Sequence, residues 1–256
     1  MTRCLITGST GFVGQHLVKY LRQNTDWQIN PIAKHYDYII NLASGSSVEK
    51  SIADPVVFIE DNINCMLDIL ERARMYPPKV FLHMSTVEVY NSSNPYAASK
   101  AAQEVIANAY QNTYGLPVVI VTSHNIIGAG QKSDKFVPKI IQQIKKGEEL
   151  SIYVQNGTMG YRIYNPVENV CNAILYLLKA GITSGKYNIS GGAELTNLEM
   201  AKKIAKLLGK PLKYKTVEAQ SIRPGYTRHL VSDGIALETL GWKPPKTLDE
   251  GLAWVK

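Results

Sequence analysis

The sequence predicts an α/β fold, a doubly wound parallel sheet with a reduced number of strands and a small C-terminal lobe. Three observations predict it. Short apolar runs alternate with amphipathic helical stretches over the first 125 residues, the pattern of a parallel sheet covered on both faces. A glycine-rich turn, Gly8-Ser9-Thr10-Gly11-Phe12-Val13-Gly14, joins the first run to the first helix. Beyond residue 125 the alternation loosens into a turn-rich segment.

Taken in order, Arg3-Cys4-Leu5-Ile6-Thr7 reads as a buried strand. Phe12, Val13, Leu17, Val18 and Leu21 then recur at helical spacing, with polar residues between them. Residues 38–43 form a second clear strand. Ile59 to Met75 reads as a helix stopped by Pro77-Pro78. Residues 80–84 are a strand, Ala97 to Tyr114 a helix ending at Gly115, and residues 118–122 a strand. Further on, Phe136 to Lys146, Pro166 to Ala180 and Asn197 to Leu208 read as helices, and Lys186 to Ile189 as a short strand. Residues 1–125 are expected to form the core, and residues 126–256 mainly the lobe, with some segments returning to the core.

The chain has 256 residues, 45% hydrophobic and 19% charged, which excludes a disordered chain. No apolar run approaches the roughly 18 residues that span a bilayer, and Met1 leads directly into the first strand. The expectation is a soluble, cytoplasmic protein without a membrane partner. Cys4, Cys65 and Cys171 are far apart and read as reduced core residues, with no metal site. The net charge of +7 suits anionic ligands. No basic run or aromatic–basic platform points to nucleic acid.

The glycine turn carries the first chemical signal. Gly8 permits a tight turn, Gly11 lets the backbone approach a pyrophosphate, and Gly14 lets the helix pack close to the strand. The helix N-terminal amides then face the anion. The second signal is Tyr96-Ala97-Ala98-Ser99-Lys100. Tyr96 and Lys100 share a helix face, and a nearby cation favours phenolate, making a general base usable near neutral pH. Ser85-Thr86 ends the preceding strand.

In this order, Thr7 to Gly14, Asn41-Leu42-Ala43-Ser44, Ser85-Thr86-Val87-Glu88-Val89-Tyr90 and Tyr96-x-x-x-Lys100 resemble the extended short-chain dehydrogenases/reductases. The chain is identified as similar to the NAD-dependent epimerase/dehydratase family acting on nucleotide-sugars, closest in motifs to the 4,6-dehydratases. Asn125-Ile126-Ile127-Gly128, Lys135, Pro138, Arg162, Val167-Glu168-Asn169, Arg223-Pro224-Gly225 and residues 240–244 extend the resemblance almost to the C-terminus.

The resemblance implies a Rossmann-like core, a C-terminal substrate-binding lobe and transient oxidation of a nucleoside-diphosphate sugar at C4. Tyr96 would take the 4-hydroxyl proton, and Thr86 would hydrogen-bond the same hydroxyl. Lys100 would hold the nicotinamide ribose and lower the pKa of Tyr96. NAD, with NADP as the alternative, would contact Gly8, Thr10, Gly11, Phe12, Val13 and Gly14 on one side. On the other it would contact Leu42, Ala43, Ser44, Ser85, Tyr96 and Lys100. Asn125, Lys135, Arg162 and Arg223 would bind the nucleotide diphosphate, and arginine forks suit phosphate oxygens. Glu88 would abstract a proton at C5. Val87 stands where dehydratases have an aspartate and cannot donate a proton to a leaving 6-hydroxyl. Epimerisation at C4, 4,6-dehydration and decarboxylation therefore all stay open. A homodimer is implied, pairing the helices of residues 59–75 and 97–114.

Two departures matter. Only 29 residues, 8 to 36, separate the first strand from the next, opened by Asp37, where the family places two further strands. One strand–helix–strand unit takes about 30 residues, so the first strand should lie at or near the sheet edge, beside the 37–43 segment. The acid expected about 20 residues after the glycines is missing at Pro31-Ile32-Ala33, so the adenosine end is bare. The connection from Tyr90 to Tyr96 is also short, which opens the sugar pocket. The adenosine deletion leaves a non-catalytic, partner-dependent or scaffold relative as the alternative.

Overall fold

The protein, described here from a computed structural model, is defined over residues 1–91, 93–190, 193–219 and 235–255. The core begins with β1 (Arg3–Thr7), α1 (Phe12–Asn24), β2 (Gln28–Ile29) and β3 (Tyr38–Asn41). Two helices follow, α2 (Val48–Ala53) and α3 (Pro55–Met75), and then β4 (Val80–Met84). A 3-10 turn at Val87–Tyr90 leads into α4 (Pro95–Tyr114) and β5 (Val118–Ser123). The remainder comprises β6 (Asn125–Ile127), α5 (Phe136–Lys146), β7 (Leu150–Gln155), β8 (Thr158–Met159), β9 (Tyr161–Pro166) and α6 (Val167–Lys179). It closes with β10 (Gly185–Ile189), β11 (Ala193–Thr196), α7 (Asn197–Leu208), β12 (Tyr214–Glu218), β13 (Ile235–Ala236) and α8 (Leu248–Gly251).

Seven strands form one sheet in the order β13-β10-β5-β4-β3-β1-β2, and every pairing is parallel. The strand at the end of the first αβ unit, β2, is two residues long and lies outside β1. The position expected for β1, at or near the sheet edge and beside β3, is met, with one short strand beyond it. Asn30 explains where β2 stops. At a φ of 52°, its side chain accepts from Ile6 N at 2.6 Å and donates to Ile6 O at 3.2 Å. The amide takes the place a third ladder residue would occupy.

Apolar side chains fill both faces of the sheet. Leu17 and Leu21 of α1 pack with Val170, Ile174 and Leu177 of α6 on one face. On the other, Met66 and Leu70 of α3 and Ala107 of α4 pack on Ile39, Phe81 and Ile120. Met66 and Leu70 therefore serve the core, while Val56, Val57, Val105 and Tyr114 on these two helices are exposed. Cys4 and Cys171 are buried and reduced, whereas Cys65 on α3 is exposed. The expectation of three core cysteines fails at Cys65, because it falls on the helix face turned from the sheet.

Two three-stranded sheets, β11-β9-β6 and β12-β7-β8, were not legible in the sequence. With α5 and α7 they enclose a second core around Ile140, Ile144, Ile152 and Ile204. Pro166 ends β9, and Asn169 of α6 then clasps Lys246 through its backbone N and O, both at 2.9 Å. Trp242 donates to Asn172 at 2.7 Å. These bonds tie the C-terminal Gly241-Trp242-Lys243-Pro244 segment to α6. No helix among the described residues is long and apolar enough to cross a membrane.

Candidate functional site

The sheet places one crevice at its carboxyl edge. From β1 the chain runs outward to β2 and then returns to β3 on the opposite side of β1. Ligands bind at such a switch point in open α/β sheets. A cavity of about 450 Å³ opens there. Gly8, Gly11, Phe12, Val13 and Gly14 line one wall, and Thr86, Glu88, Tyr96 and Lys100 another. Asn125, Lys135 and Arg162 of the lobe close the third side.

Each glycine of the turn has its own reason. Gly8 has a φ of 66° and lies against the backbone of Leu42 and Ala43. A Cβ on Gly14 would stand 2.2 Å from Gly8 O, so helix and strand touch through this residue. A Cβ on Gly11 would meet only Gly8 O, at 3.2 Å, and would otherwise project into open space. Gly11 caps α1 without a side-chain hydrogen bond, which leaves the first-turn amides for an anion. This end of the crevice fits a dinucleotide pyrophosphate.

The adenosine end fits less well. Asn30 is committed to Ile6, and Ile32 stands fully in solvent. Pocket-lining residues from the expected cofactor set include Leu42, Ser44 and Ser85. Thr10 is exposed and Ala43 half-buried, and neither lines the cavity. Ala43 instead donates its backbone N–H to Thr7 Oγ1 at 3.2 Å.

Asn94 starts α4 by accepting from Ala97 N at 2.9 Å, and this cap sets the helix that carries Tyr96 and Lys100. Tyr96 and Thr86 line the same wall of the cavity. Burial, and secondarily the Glu88 charge, push its phenol well above the ordinary tyrosine value. Lys100 is buried; its amine donates to Met84 O at 2.8 Å and Gln103 Oε1 at 2.7 Å. The expectation that Lys100 lowers the Tyr96 pKa is therefore not met. The amine is engaged with β4 and its own helix, and burial brings it down to about 7.

Glu88 accepts a 3.4 Å bond from Asn94 Nδ2 and lines the cavity. Val87 beside it is buried and does not. Lys135 reaches Ser46 O at 2.7 Å, and burial lowers its amine below the usual lysine value. Arg162 donates to Tyr161 O at 2.7 Å. Arg223 lies outside the described residues. Sequence reasoning missed Glu49, His124 and Asp134, which also line the cavity, because each is an isolated polar residue in a loop or short helix. It also missed the buried His83 and Gln103, whose polar character is hidden within an apolar strand and a helix.

The sequence pattern of the NAD dependent epimerase/dehydratase family matches residues 24–190. The chain belongs to this family. Among its relatives, a probable dTDP-glucose 4,6-dehydratase of Sinorhizobium fredii is 30% identical, over 98% of this chain and 90% of that protein. The low-salt glycan biosynthesis protein Agl12 of Haloferax volcanii is 28% identical, over 97% and 95%. Among solved structures, DesIV, a dTDP-glucose 4,6-dehydratase from Streptomyces venezuelae with NAD and TYD bound, superposes with a TM-score of 0.85. It is 26% identical, over 99% of this chain and 95% of that one. In this chain Thr86, Glu88, Tyr96 and Lys100 line one crevice.

Proposed function

We propose that this chain is an NAD-dependent enzyme that transforms a nucleoside-diphosphate sugar through transient oxidation at C4. One observation carries the reading: Thr86, Tyr96 and Lys100 line one wall of the cavity that the glycine turn enters. NAD would be held by the α1 amides at its pyrophosphate and by Ser85 and Lys100 near its nicotinamide. When bound, it supplies a hydride acceptor for C4.

The rest of the chemistry belongs to the chain. Tyr96 takes the 4-hydroxyl proton, and Thr86 holds that hydroxyl in line. A phenol buried beside Glu88 resists ionisation, so Tyr96 acts as a base only once a cation stands near it, the part assigned to Lys100. Lys135 and Arg162 bind the diphosphate, and Asn125 orients it. Glu88 is placed to take the C5 proton, made acidic by the C4 carbonyl. A buried Val87 offers no acid for a leaving 6-hydroxyl, so C4 epimerisation needs fewer groups than dehydration does here. Exposed Val56, Val57, Val105 and Tyr114 support a homodimer through α3 and α4.

Calorimetric titration with NAD and NADP, followed by a panel of nucleotide-sugars, tests the reading. Micromolar dinucleotide binding and turnover lost in Tyr96→Phe are expected. Folded protein that binds neither dinucleotide at millimolar concentration refutes a stand-alone enzyme and favours a scaffold relative.

A further inference from the structure

Lys100 belongs to a hydrogen-bond chain that runs from Thr7 to the backbone carbonyl of Asn62. At one end the backbone N–H of Ala43 donates to Thr7 Oγ1 at 3.2 Å. The Thr7 hydroxyl donates in turn to Asn41 Oδ1, 2.5 Å away, and the Asn41 amide nitrogen donates to Met66 Sδ at 3.1 Å. The Asn41 amide nitrogen then faces His83 Nδ1 at 3.2 Å. At the other end the carbonyl of Asn62 accepts from Gln103 Nε2 at 2.6 Å. That turns Gln103 Oε1 to Lys100 Nζ at 2.7 Å, and Met84 O accepts from the same amine at 2.8 Å.

The imidazole between these ends is fully buried. A neutral imidazole has one N–H and one lone pair. Asn41 Nδ2 takes the lone pair on Nδ1, so the proton sits on Nε2. Nε2 faces Lys100 Nζ at 3.4 Å. An ammonium has three donors and no acceptor, and would meet that N–H head to head. A neutral amine satisfies all three neighbours. Its two protons go to Gln103 and Met84, and its lone pair receives His83.

We propose that His83 is a positioning residue that holds Lys100 as a neutral amine in the cofactor-free protein, bonded into β4 rather than to Tyr96. Lys100 takes up a proton when it is drawn toward the nicotinamide ribose; this second step rests on the function proposed above, and the first does not. Burial acts in the same direction on the amine. Burial keeps His83 from protonating. Of the charged groups around Lys100, Glu104, one turn further along α4, favours the ammonium. Its carboxylate is already engaged by Ser85 and by Lys186 of β10. The groups facing the chain from β1, β3 and α3 are Thr7, Asn41, Asn62 and Met66, and none is charged.

The test is an NMR titration of isotope-labelled lysine side chains in cofactor-free protein. One lysine signal, assigned by its loss in Lys100→Met, is expected to titrate near pH 7. His83→Gln brings an amide oxygen to Nζ, and Asn41→Leu frees the imidazole to exchange its tautomer. Each gives an ammonium an acceptor, so each raises the midpoint by about one unit or more. Two variants guard against one failing to fold. A wild-type midpoint at the ordinary lysine value, or midpoints unmoved in the folded variants, overturns the proposal. NAD added at mildly alkaline pH shifts the Lys100 signal to its charged form. Binding without that shift, with the variant midpoints raised, supports the His83 assignment and refutes only the cofactor step.

Discussion

Gly14→Ala tests the turn that brings the first helix to the crevice. A methyl group here would lie 2.2 Å from Gly8 O, 2.7 Å from Ser9 Cα and 2.9 Å from Gly8 C. All three are backbone atoms, so relief requires α1 to move away from β1 rather than a rotamer change. Leu17 and Leu21, both fully buried, move with it. Overpacking of this kind costs about 1–3 kcal/mol, occasionally more, and alanine's better helix propensity returns only about 1 kcal/mol. Three backbone contacts under 3.0 Å put the cost in the upper part of that range, so a net loss of about 1–2 kcal/mol lowers the melting midpoint of a domain this size by about 2–8 °C. Gly11→Ala is the matched control. Its methyl meets one atom at 3.2 Å, so stability changes by about 1 kcal/mol or less. It occupies the anion approach, so NAD affinity falls about tenfold or more. Thermal melting and calorimetry on both variants separate the two effects. A Gly14→Ala protein as stable as wild type, or Gly11→Ala binding NAD normally, refutes this account of the turn.

The remaining predictions concern the crevice and the edge of the sheet. Tyr96→Phe loses about 10²–10⁴ in turnover while dinucleotide binding persists, as general-base removal does; rate and calorimetric measurements separate the two. Asn30→Ala strips two hydrogen bonds from the Ile6 backbone and lowers stability by about 1–3 kcal/mol in denaturant unfolding. The amine of Lys100 is lowered to about 7 in the folded state, so the unfolded chain binds more protons above that pH. Its contribution therefore makes stability rise with pH from about 7 toward the ordinary lysine value. Lys100→Met should flatten that part of the profile, measured by denaturant unfolding across pH.

The core was legible because its signals are local. The strand from Arg3 to Thr7 and the helices ending at Asn24, Met75 and Tyr114 stand where apolar spacing and terminal residues place them. The lack of two further full strands beside β1 was foreshadowed by chain length alone, since the 29 residues from 8 to 36 suit one strand–helix–strand unit. The lobe sheets escaped because β6, β8 and β11 are two to four residues long, too short to show a period. The roles of the glycines were readable from spacing, and the structure supplies a distinct steric cause for each. The state of Lys100 was not readable. Four-residue spacing put it on the Tyr96 face, but its amine is governed by His83, Gln103 and Met84, which the helix period does not reveal.

The most direct test of C4 oxidation is a single-turnover experiment with NAD and nucleotide-sugars, followed by the absorbance of reduced nicotinamide. The account predicts a transient signal with at least one sugar in wild-type protein, absent in Tyr96→Phe. A folded, NAD-bound protein that converts a nucleotide-sugar equally well as Tyr96→Phe would contradict it.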